Sequence, residues 1–388
     1  KNSLKKEIEE LKNRRNDLES IIDDREKLLK VMVKELKELK KRFGSTRKTK
    51  LIEGGDALIA ERLANQRPNK ELQRINALKQ LPKDSEIVIQ SNNEIKIIPS
   101  MTIKKLKLKE TNQEKKDFLP SKLIWPITNE PKILAISRLG KIGLLKWEFA
   151  GQKPGPLENF LPAGLEKDEI INLIPLPEKK DISLGLVSSD GKFKRVSFTE
   201  ITDISNRSTT LLKLKSNIEL KSCLLCEENS YLYIISNFGR IIKIKITENN
   251  FPYMGKLAQG SNAIKLFPGE NIIESINIQE KKNKDLILIT NKGYFIKYNA
   301  KEIRISQKGE LGTMGINFKN NKKNSDRVIN CFINNNFVYI KTNKERYEKL
   351  EKNQIDNSMY KKEERLNLSL NDDEFIKTTF SMIIPEKH

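Results

Sequence analysis

The sequence predicts a mainly β chain: a six-bladed, propeller-like disc preceded by an α-helical coiled-coil segment. Three observations carry this. Residues 1–43 hold an apolar seam with four-three spacing. From about residue 85 onward, short runs of Ile, Val, Leu, Phe and Tyr alternate with Gly, Asn, Asp and Ser. Within that region one hairpin motif returns six times.

The seam runs through Leu4, Ile8, Leu11, Arg15, Leu18, Ile22, Arg25, Leu29, Met32, Leu36, Leu39 and Phe43. All but Arg15 and Arg25 are apolar, and this spacing brings one stripe to face a partner helix. Asp23 or Asp24 in "IIDDREKLL" suits the N-cap of a second helix, and Gly44 ends the run. Such a seam needs a partner helix, from elsewhere in a longer chain or from a second polypeptide. The chain opens on Lys inside this pattern, as a fragment or processed product would. Residues 45–84 read as a linker with short helices, "DALIAERLANQ" and "PNKELQRINALKQL", the second started by Pro68. Residues 85–388 then form the disc.

The repeat is legible in "EIVIQSNNEIKII", "KILAISRLGKIGLLK", "ISLGLVSSDGKFKRV", "YLYIISNFGRIIKI", "LILITNKGYFIKY" and "FVYIKTNKERYEKL". The turns begin at Ser91, Ser137, Ser188, Ser236, Thr290 and Thr342, at intervals of 46 to 54 residues. Each copy is an apolar strand, a turn of the form S/T-x-x-G and a second strand. Gly140, Gly191, Gly239 and Gly293 take the corner, where hairpins favour positive φ. Glu94 and Glu345 stand there in the first and last copies, as befits atypical terminal repeats. Each unit has room for about two more strands, the signature of a propeller-like disc rather than a β-sandwich.

Composition narrows the partner. Among 388 residues, 73 Lys and Arg oppose 52 Asp and Glu, for a net charge of +21 and a pI near 9.6. With a mean hydropathy of -0.58, the chain can build a core only beneath a very polar surface. Such a field attracts polyanions, nucleic acid first. Three Cys, an odd number, argue against a disulfide scaffold. Cys223 and Cys226 have metal-ligand spacing, but the only His is His388, so "CLLC" reads as a strand with one buried and one half-exposed thiol. No run of 18 apolar residues is present and no signal peptide is visible, so no membrane partner is expected.

After each turn comes a basic strand. The candidates are Lys96 in the first blade, Lys141 and Lys146 in the second, Lys192, Lys194 and Arg195 in the third. Arg240, Lys243 and Lys245 follow in the fourth, Lys297 in the fifth, and Arg346 and Lys349 in the sixth. Arg195, Lys243, Lys297 and Lys349 all fall seven positions after the first Ser or Thr. One position repeated around a disc makes a ring of positive charge, and duplex DNA could bend around it through phosphate contacts. Bending opposes this by a few kcal/mol over tens of base pairs, so many contacts are required.

The order of elements resembles the C-terminal half of the DNA-cleaving component of bacterial type II topoisomerases, the gyrase A and topoisomerase IV A proteins. "ELKELKKRFGSTRKT" (35–49) is similar to the end of that family's last long helix. "LILITNKGYFIKYNAKEI" and "LGLVSSDGKFKRVSFTEI" resemble its repeat strands. "SQKGELGTMGINF" (306–318) resembles its G-x-x-x-x-G-x-x-G-I segment, and "SNRSTTLLKL" (205–214) holds the corresponding place in another blade. The resemblance implies a six-bladed β-pinwheel that wraps DNA and presents it for ATP-dependent strand passage. The cleaving Tyr would precede residue 1, so no catalytic residue is carried over and this stretch of chain is an enzyme only as part of a holoenzyme. No cofactor is expected on this chain; ATP and Mg²⁺ would be handled by the ATPase partner, the gyrase B type of protein, and by the complete core. Two copies of the gyrase A type of protein would pair as a homodimer through that core. The resemblance implies a cytoplasmic, nucleoid-associated protein.

One departure bears on the mode of wrapping. Where gyrase proper carries a glycine- and arginine-rich box, this chain reads "SMTIKKLKLKETNQ" (100–113), without glycine. The nearest look-alike, "SQKGELG" with Lys308, lies in the fifth blade and lacks the arginines. That departure favours a topoisomerase IV-like or divergent paralogue, with Lys104, Lys105 and Lys107 as a weaker DNA contact. The alternative is a protein-binding propeller scaffold fused to a coiled coil; the +21 charge opposes it. An enzymatic propeller would need convergent carboxylates or metal ligands, and no acidic cluster recurs.

Overall fold

The computed structural model describes residues 2–44, 70–103, 119–178, 181–202, 204, 207–256, 258–316, 318, 326–334, 338–350, 352–371 and 373–385. They fall into two compact units, Lys1–Asn69 and Lys70–His388. In the first, helix α1 (Asn2–Asp23) is followed by α2 (Arg25–Phe43). The break is Asp24, whose side chain caps α2 by accepting from the backbone N–H of Glu26 and Lys27. The apolar seam is solvent-facing along its whole length, from Leu4 to Phe43.

The second unit is built from six hairpins: Ser85–Gln90 with Glu94–Pro99, Ile133–Ser137 with Lys141–Leu144, Ser183–Ser188 with Lys192–Ser197, Tyr231–Ser236 with Arg240–Lys245, Asp285–Thr290 with Tyr294–Asn299, and Val338–Thr342 with Tyr347–Lys349. A third strand follows each hairpin and pairs back onto its first strand, with one β-bulge in every blade. These third strands touch one another from blade to blade (Leu220–Cys226, Ile272–Ile278, Val328–Ile333 and Ile376–Ser381 in turn), so this edge of each sheet faces the axis.

The fourth strand of each of the first five sheets is borrowed. It is a short segment lying after the next hairpin in sequence: Gly155–Pro156, Thr209–Thr210, Ser261–Asn262, Thr313–Met314 and Glu363–Arg365. In the fourth blade, for example, Arg240 pairs with Met314 and Ile241 with Thr313. The hairpin corner explains the recurring Gly. Its N–H donates to the first Ser or Thr carbonyl at 3.0–3.1 Å, as from Gly140, Gly191, Gly239 and Gly293. Its own carbonyl then accepts the incoming exchanged segment: Leu211 N–H on Gly140 (2.9 Å), Ala263 on Gly191 (2.9 Å), Gly315 on Gly239 (2.7 Å) and Leu366 on Gly293 (2.8 Å). A Cβ at Gly239 would lie 2.8 Å from the Ile316 carbonyl oxygen, with φ at +81°. In the first blade the corner is Asn93 (φ 64°), not Glu94, because that turn starts one residue earlier at Gln90; Leu157 N–H binds its carbonyl at 2.8 Å. Glu345 does take the corner of the last blade, at φ 60°.

Apolar side chains fill the gaps between neighbouring sheets. Leu134, Ile136 and Ile142 of the second blade meet Leu184, Leu186 and Val196 of the third. Tyr233, Ile235 and Ile241 of the fourth meet Leu286, Leu288 and Ile296 of the fifth. The disc is closed by its C-terminal segment. Ile383 forms a parallel bridge with Leu123 of the first blade, with Ile124 N–H donating to the Ile383 carbonyl (2.9 Å) and Ile383 N–H to that of Lys122 (2.8 Å). Helix α3 (Lys70–Lys79), from the stretch expected to be linker, packs against the core between the first two blades. Its Arg74 pairs with the buried Glu148, and Leu78 and the following Leu81 join that core.

The "CLLC" pair lies on the strand Leu220–Cys226. Both thiols are buried, rather than one half-exposed, because the strand is covered on both faces: Cys223 faces the core between blades two and three, Cys226 that between three and four. Burial pushes the Cys226 thiol up to about 12, with Arg195 and the Gly185 N–H pulling the other way. Among the described residues, no group of His, Cys, Asp and Glu could hold a metal ion.

Neutral side chains bridge the axial strands. The Asn172 side chain accepts from the Cys223 N–H (3.0 Å), Ser222 bonds Ser275, and Asn330 donates to the Thr379 carbonyl. Glu274 occupies the same place in the fourth blade and accepts from the Ser275 N–H at 2.9 Å. Burial pushes its carboxyl up to about 7, opposed by that hydrogen bond.

The corners and the axis can each be tested. Gly239→Ala, forced against backbone at positive φ, is expected to destabilise by about 2–4 kcal/mol, whereas Glu345→Gly relieves about 1 kcal/mol of left-handed strain, both read by urea unfolding. Glu274 is raised above the ordinary carboxylate value, so folding favours its protonated form. Its contribution is greatest in acid and declines as pH rises from the usual carboxylate range through about 7. The stability difference between Glu274→Gln and the parent should therefore shift in favour of the variant as pH rises across that range. A constant difference there would refute the assignment.

Candidate nucleic-acid interface

Three of the four recurring cations turn away from solvent, and only Lys349, in the last blade, is exposed. Arg195, Lys243 and Lys297 share one register position, opposite Gly185, Tyr233 and Ile287. Their exposures are 1%, 4% and 4%, and Lys194 and Arg240 are buried too, at 1% and 3%. The expectation that these five line the surface is corrected. The reason is a chain excursion that follows each of the last three hairpins and lies over the second strand of the hairpin before it. It pairs in parallel at Arg195 with Tyr253, at Lys243 with Ile305 and at Lys297 with Tyr360. Two of the ammonium groups then cap backbone of the excursion. Lys243 Nζ donates to the carbonyls of Ala300 (3.0 Å) and Lys301 (3.1 Å), and Lys297 Nζ to those of Ile355 (3.1 Å) and Asp356 (2.9 Å). Lys297 also lies 4.7 Å from the Tyr360 ring centroid. Lys194 donates to the carbonyls of Leu211 and Lys256, and burial pulls its ammonium down to about 8, opposed by Glu200.

A second internal network uses the residue at or just before the start of the second strand. Lys141 meets Asp168 (3.1 Å), Arg240 meets Glu270, and Arg346 meets Glu374 (2.9 Å). Each acid stands two residues before its blade's third strand. The hydrogen bond from Arg346 holds the Glu374 carboxyl down at about 2, against the effect of burial. Lys141 and Arg346 are half-buried in these pairs, tied to the fold rather than projecting from it.

The remaining candidates are nearer to water. Lys96 donates to Gln90 (3.0 Å), Lys192 pairs with Asp190 (3.2 Å) and Lys245 with Glu280 (3.4 Å). Lys146 is half-buried, and Lys308 and Lys349 are exposed. Lys104, Lys105 and Lys107 lie outside the described residues.

The excursions themselves carry cations that strand periodicity does not reveal. Lys256, Lys308, Lys361 and Lys362 are exposed, just past the bridging residues Tyr253, Ile305 and Tyr360. Tyr253 and Tyr360 are themselves 49% and 46% exposed, so an aromatic face accompanies the charge. The available signal is a second register of the same repeat: "PYMGK", "RISQK" and "MYKKE" recur at nearly the hairpin spacing.

A ring of sheets, each completed by a strand borrowed from beyond the next hairpin, defines a strand-exchanged β-propeller of the pinwheel type. The family profile described as "DNA gyrase C-terminal domain, beta-propeller" matches residues 186–225, 230–274 and 284–335. The DNA gyrase A protein of Staphylococcus epidermidis is 25% identical over 327 residues, covering 80% of this chain and 34% of that protein. The Staphylococcus aureus protein is 24% identical over the same length. This chain thus spans about a third of those relatives. Among solved structures, the C-terminal domain of DNA topoisomerase IV superposes with a TM-score of 0.63 at 14% identity, over 78% of this chain and 94% of that one. A DNA gyrase A C-terminal domain gives 0.56 at 13% identity, over 77% and 99%. The chain is thus similar in sequence to gyrase A proteins over its propeller and shares its fold with the C-terminal domains of gyrase A and topoisomerase IV.

The buried cations have a structural consequence. Lys243→Met leaves two carbonyls without their shared donor, and is expected to destabilise by about 1–3 kcal/mol in urea unfolding. An unchanged midpoint would show that the cap contributes nothing.

Proposed function

We propose that this chain is the DNA-binding and DNA-wrapping region of a type II topoisomerase of the gyrase A class, acting in the cytoplasm on the nucleoid. In this reading it presents duplex DNA to a core completed by a dimer of such proteins and by an ATPase partner of the gyrase B type, which handles ATP and Mg²⁺. The observation that carries the proposal is the repetition of exposed lysines on successive excursions, at Lys256, Lys308 and Lys361–Lys362, on a chain of net charge +21. Equivalent sites around one disc meet a bent duplex at regular intervals, and such contacts read phosphates, not bases. The glycine-free stretch at 100–113 favours the relaxing or decatenating type of enzyme over strong chiral wrapping.

The test is a salt titration of the chain on linear duplex DNA. Affinity should fall steeply with salt, and replacing Lys256, Lys308, Lys361 and Lys362 by Ala should lower the slope of log K against log salt by about 2–4. Lys243→Met should leave that slope unchanged. Affinity nearly independent of salt would overturn the proposal. Religation of nicked circles on the chain should shift the linking number only weakly; a strong negative shift would overturn the assignment to the non-supercoiling type.

A further inference from the structure

The three buried cations of the recurring set are neutralised in two different ways. Lys243 and Lys297 are held by backbone carbonyls, which cannot leave. Arg195 is held by side chains. Its Nε donates to Ser183 Oγ (2.9 Å) and its Nη2 to the Tyr253 hydroxyl (3.0 Å). Its countercharges are Glu228, 2.7 Å from Nη2, and Glu248, 3.9 Å from Nη1. Those carboxylates arrive from the neighbouring fourth blade, and the Glu248 N–H donates to Glu228 at 3.1 Å. The guanidinium is 1% exposed, whereas Glu228 and Glu248 are 47% and 60% exposed. Arg195 is therefore covered by groups that can swing into water at little cost. Nη1 is buried and makes no hydrogen bond, since Glu248 is too distant to accept one. One donor of the fork is unspent.

The surroundings are those of a phosphate path. The Tyr253 ring stacks on the guanidinium at 4.3 Å and is half exposed. The exposed Lys308 donates to the Asn250 carbonyl (3.2 Å), two residues from Glu248, and the exposed Lys256 follows Tyr253 on the same excursion. We propose that Arg195 is a masked phosphate site: Glu228 and Glu248 stand in for a backbone phosphate of the bound duplex and are displaced by it, the phosphate accepting from Nη1 and Nη2 together. The fork geometry of Arg suits this bidentate contact, which the Lys at the equivalent positions cannot make. The two glutamates then hold DNA off the third blade until the flanking lysines have captured it. The proposal rests on the wrapping reading above.

The experiment compares four forms of the chain on linear duplex DNA across a salt series: the parent, Glu228→Gln with Glu248→Gln, that pair with Arg195→Lys added, and a control pair, Glu280→Gln with Glu302→Gln. The control removes the same charge from partners of Lys245 and Lys361. The unmasked pair should bind about tenfold tighter than the control pair at moderate salt, and adding Arg195→Lys should return it to the control level. Equal affinity of unmasked and control pairs, or a gain that survives Arg195→Lys, overturns the masked site while leaving the wrapping reading intact. A parent whose affinity ignores salt overturns the wrapping reading and this site with it. Thermal melting verifies that each form is folded. Should the unmasked pair melt early, Glu248→Gln alone, which breaks no hydrogen bond to Arg195, should show a smaller gain of the same sign, and its absence counts equally against the site.

Discussion

The carbonyl at each hairpin corner holds the molecule together as a ring. It is left free by the hairpin's own ladder, and a buried carbonyl must find a donor. The donor comes from the segment beyond the next hairpin, at Leu211, Ala263, Gly315 and Leu366. At Gly140, Gly191 and Gly239 the incoming chain also occupies the place of a side chain, whereas Asn93 accepts Leu157 N–H with a side chain in place and Gly293 has room for a Cβ. Positive φ alone would admit Asn or even Glu, as Asn93 and Glu345 show. Close approach is the stricter demand: a Cβ at Gly140, Gly191 or Gly239 would meet backbone oxygen at 2.6 to 2.8 Å.

That exchange makes each blade incomplete without its successor. Cores lie between sheets rather than within them, so no single repeat buries its apolar faces alone. The sheet of the last repeat has three described strands. Closure falls instead to Ile383, which pairs onto the first blade's axial strand, with Met382 and Ile384 packing against Val88, Ile103 and Ile124. The ring is thus held by corner carbonyls toward its rim and by third-strand side chains at its axis. Glu274 is an ionisable member of that axial set, and its raised carboxyl is the result of a charge placed where Asn and Ser serve elsewhere.

The hairpins, their number and the corner glycines were legible because their period is set by local chemistry: β-branched strands, a hydroxyl that receives a turn N–H, and a residue tolerant of positive φ. Arg240 N–H on Ser236 Oγ (3.2 Å) and Tyr294 N–H on Thr290 Oγ1 (3.1 Å) show why Ser or Thr opens the turn. The exchanged strands were not legible. They are two or three residues long, below the length at which alternation can be read, and they depend on a partner strand on the far side of a whole hairpin. The candidate site suffered from the same blindness. A Lys on a strand end reads as solvent-facing until the excursion that covers it is known, so strand position alone puts Lys243 and Lys297 on the surface and gives no sign of Lys256 and Lys361. The seam of α1 and α2, by contrast, needed only the spacing of its own residues.

Buried and exposed cations do different work on this disc. Desolvation disfavours a buried ammonium, and burial lowers the Lys243 and Lys194 values. Such a group persists where its donors are spent on carbonyls that would otherwise be orphaned, which is the situation of excursion backbone lying over a strand away from any ladder. The buried lysines therefore serve to fasten the excursions, and the excursions in turn present the exposed lysines. On the proposed wrapping reading, a polyanion meets the exposed lysines first, and their spacing is set by the buried ones. The charge pattern that repeats most faithfully in the sequence is thus the scaffold of the proposed interface, and the looser pattern beside it is its solvent-exposed face.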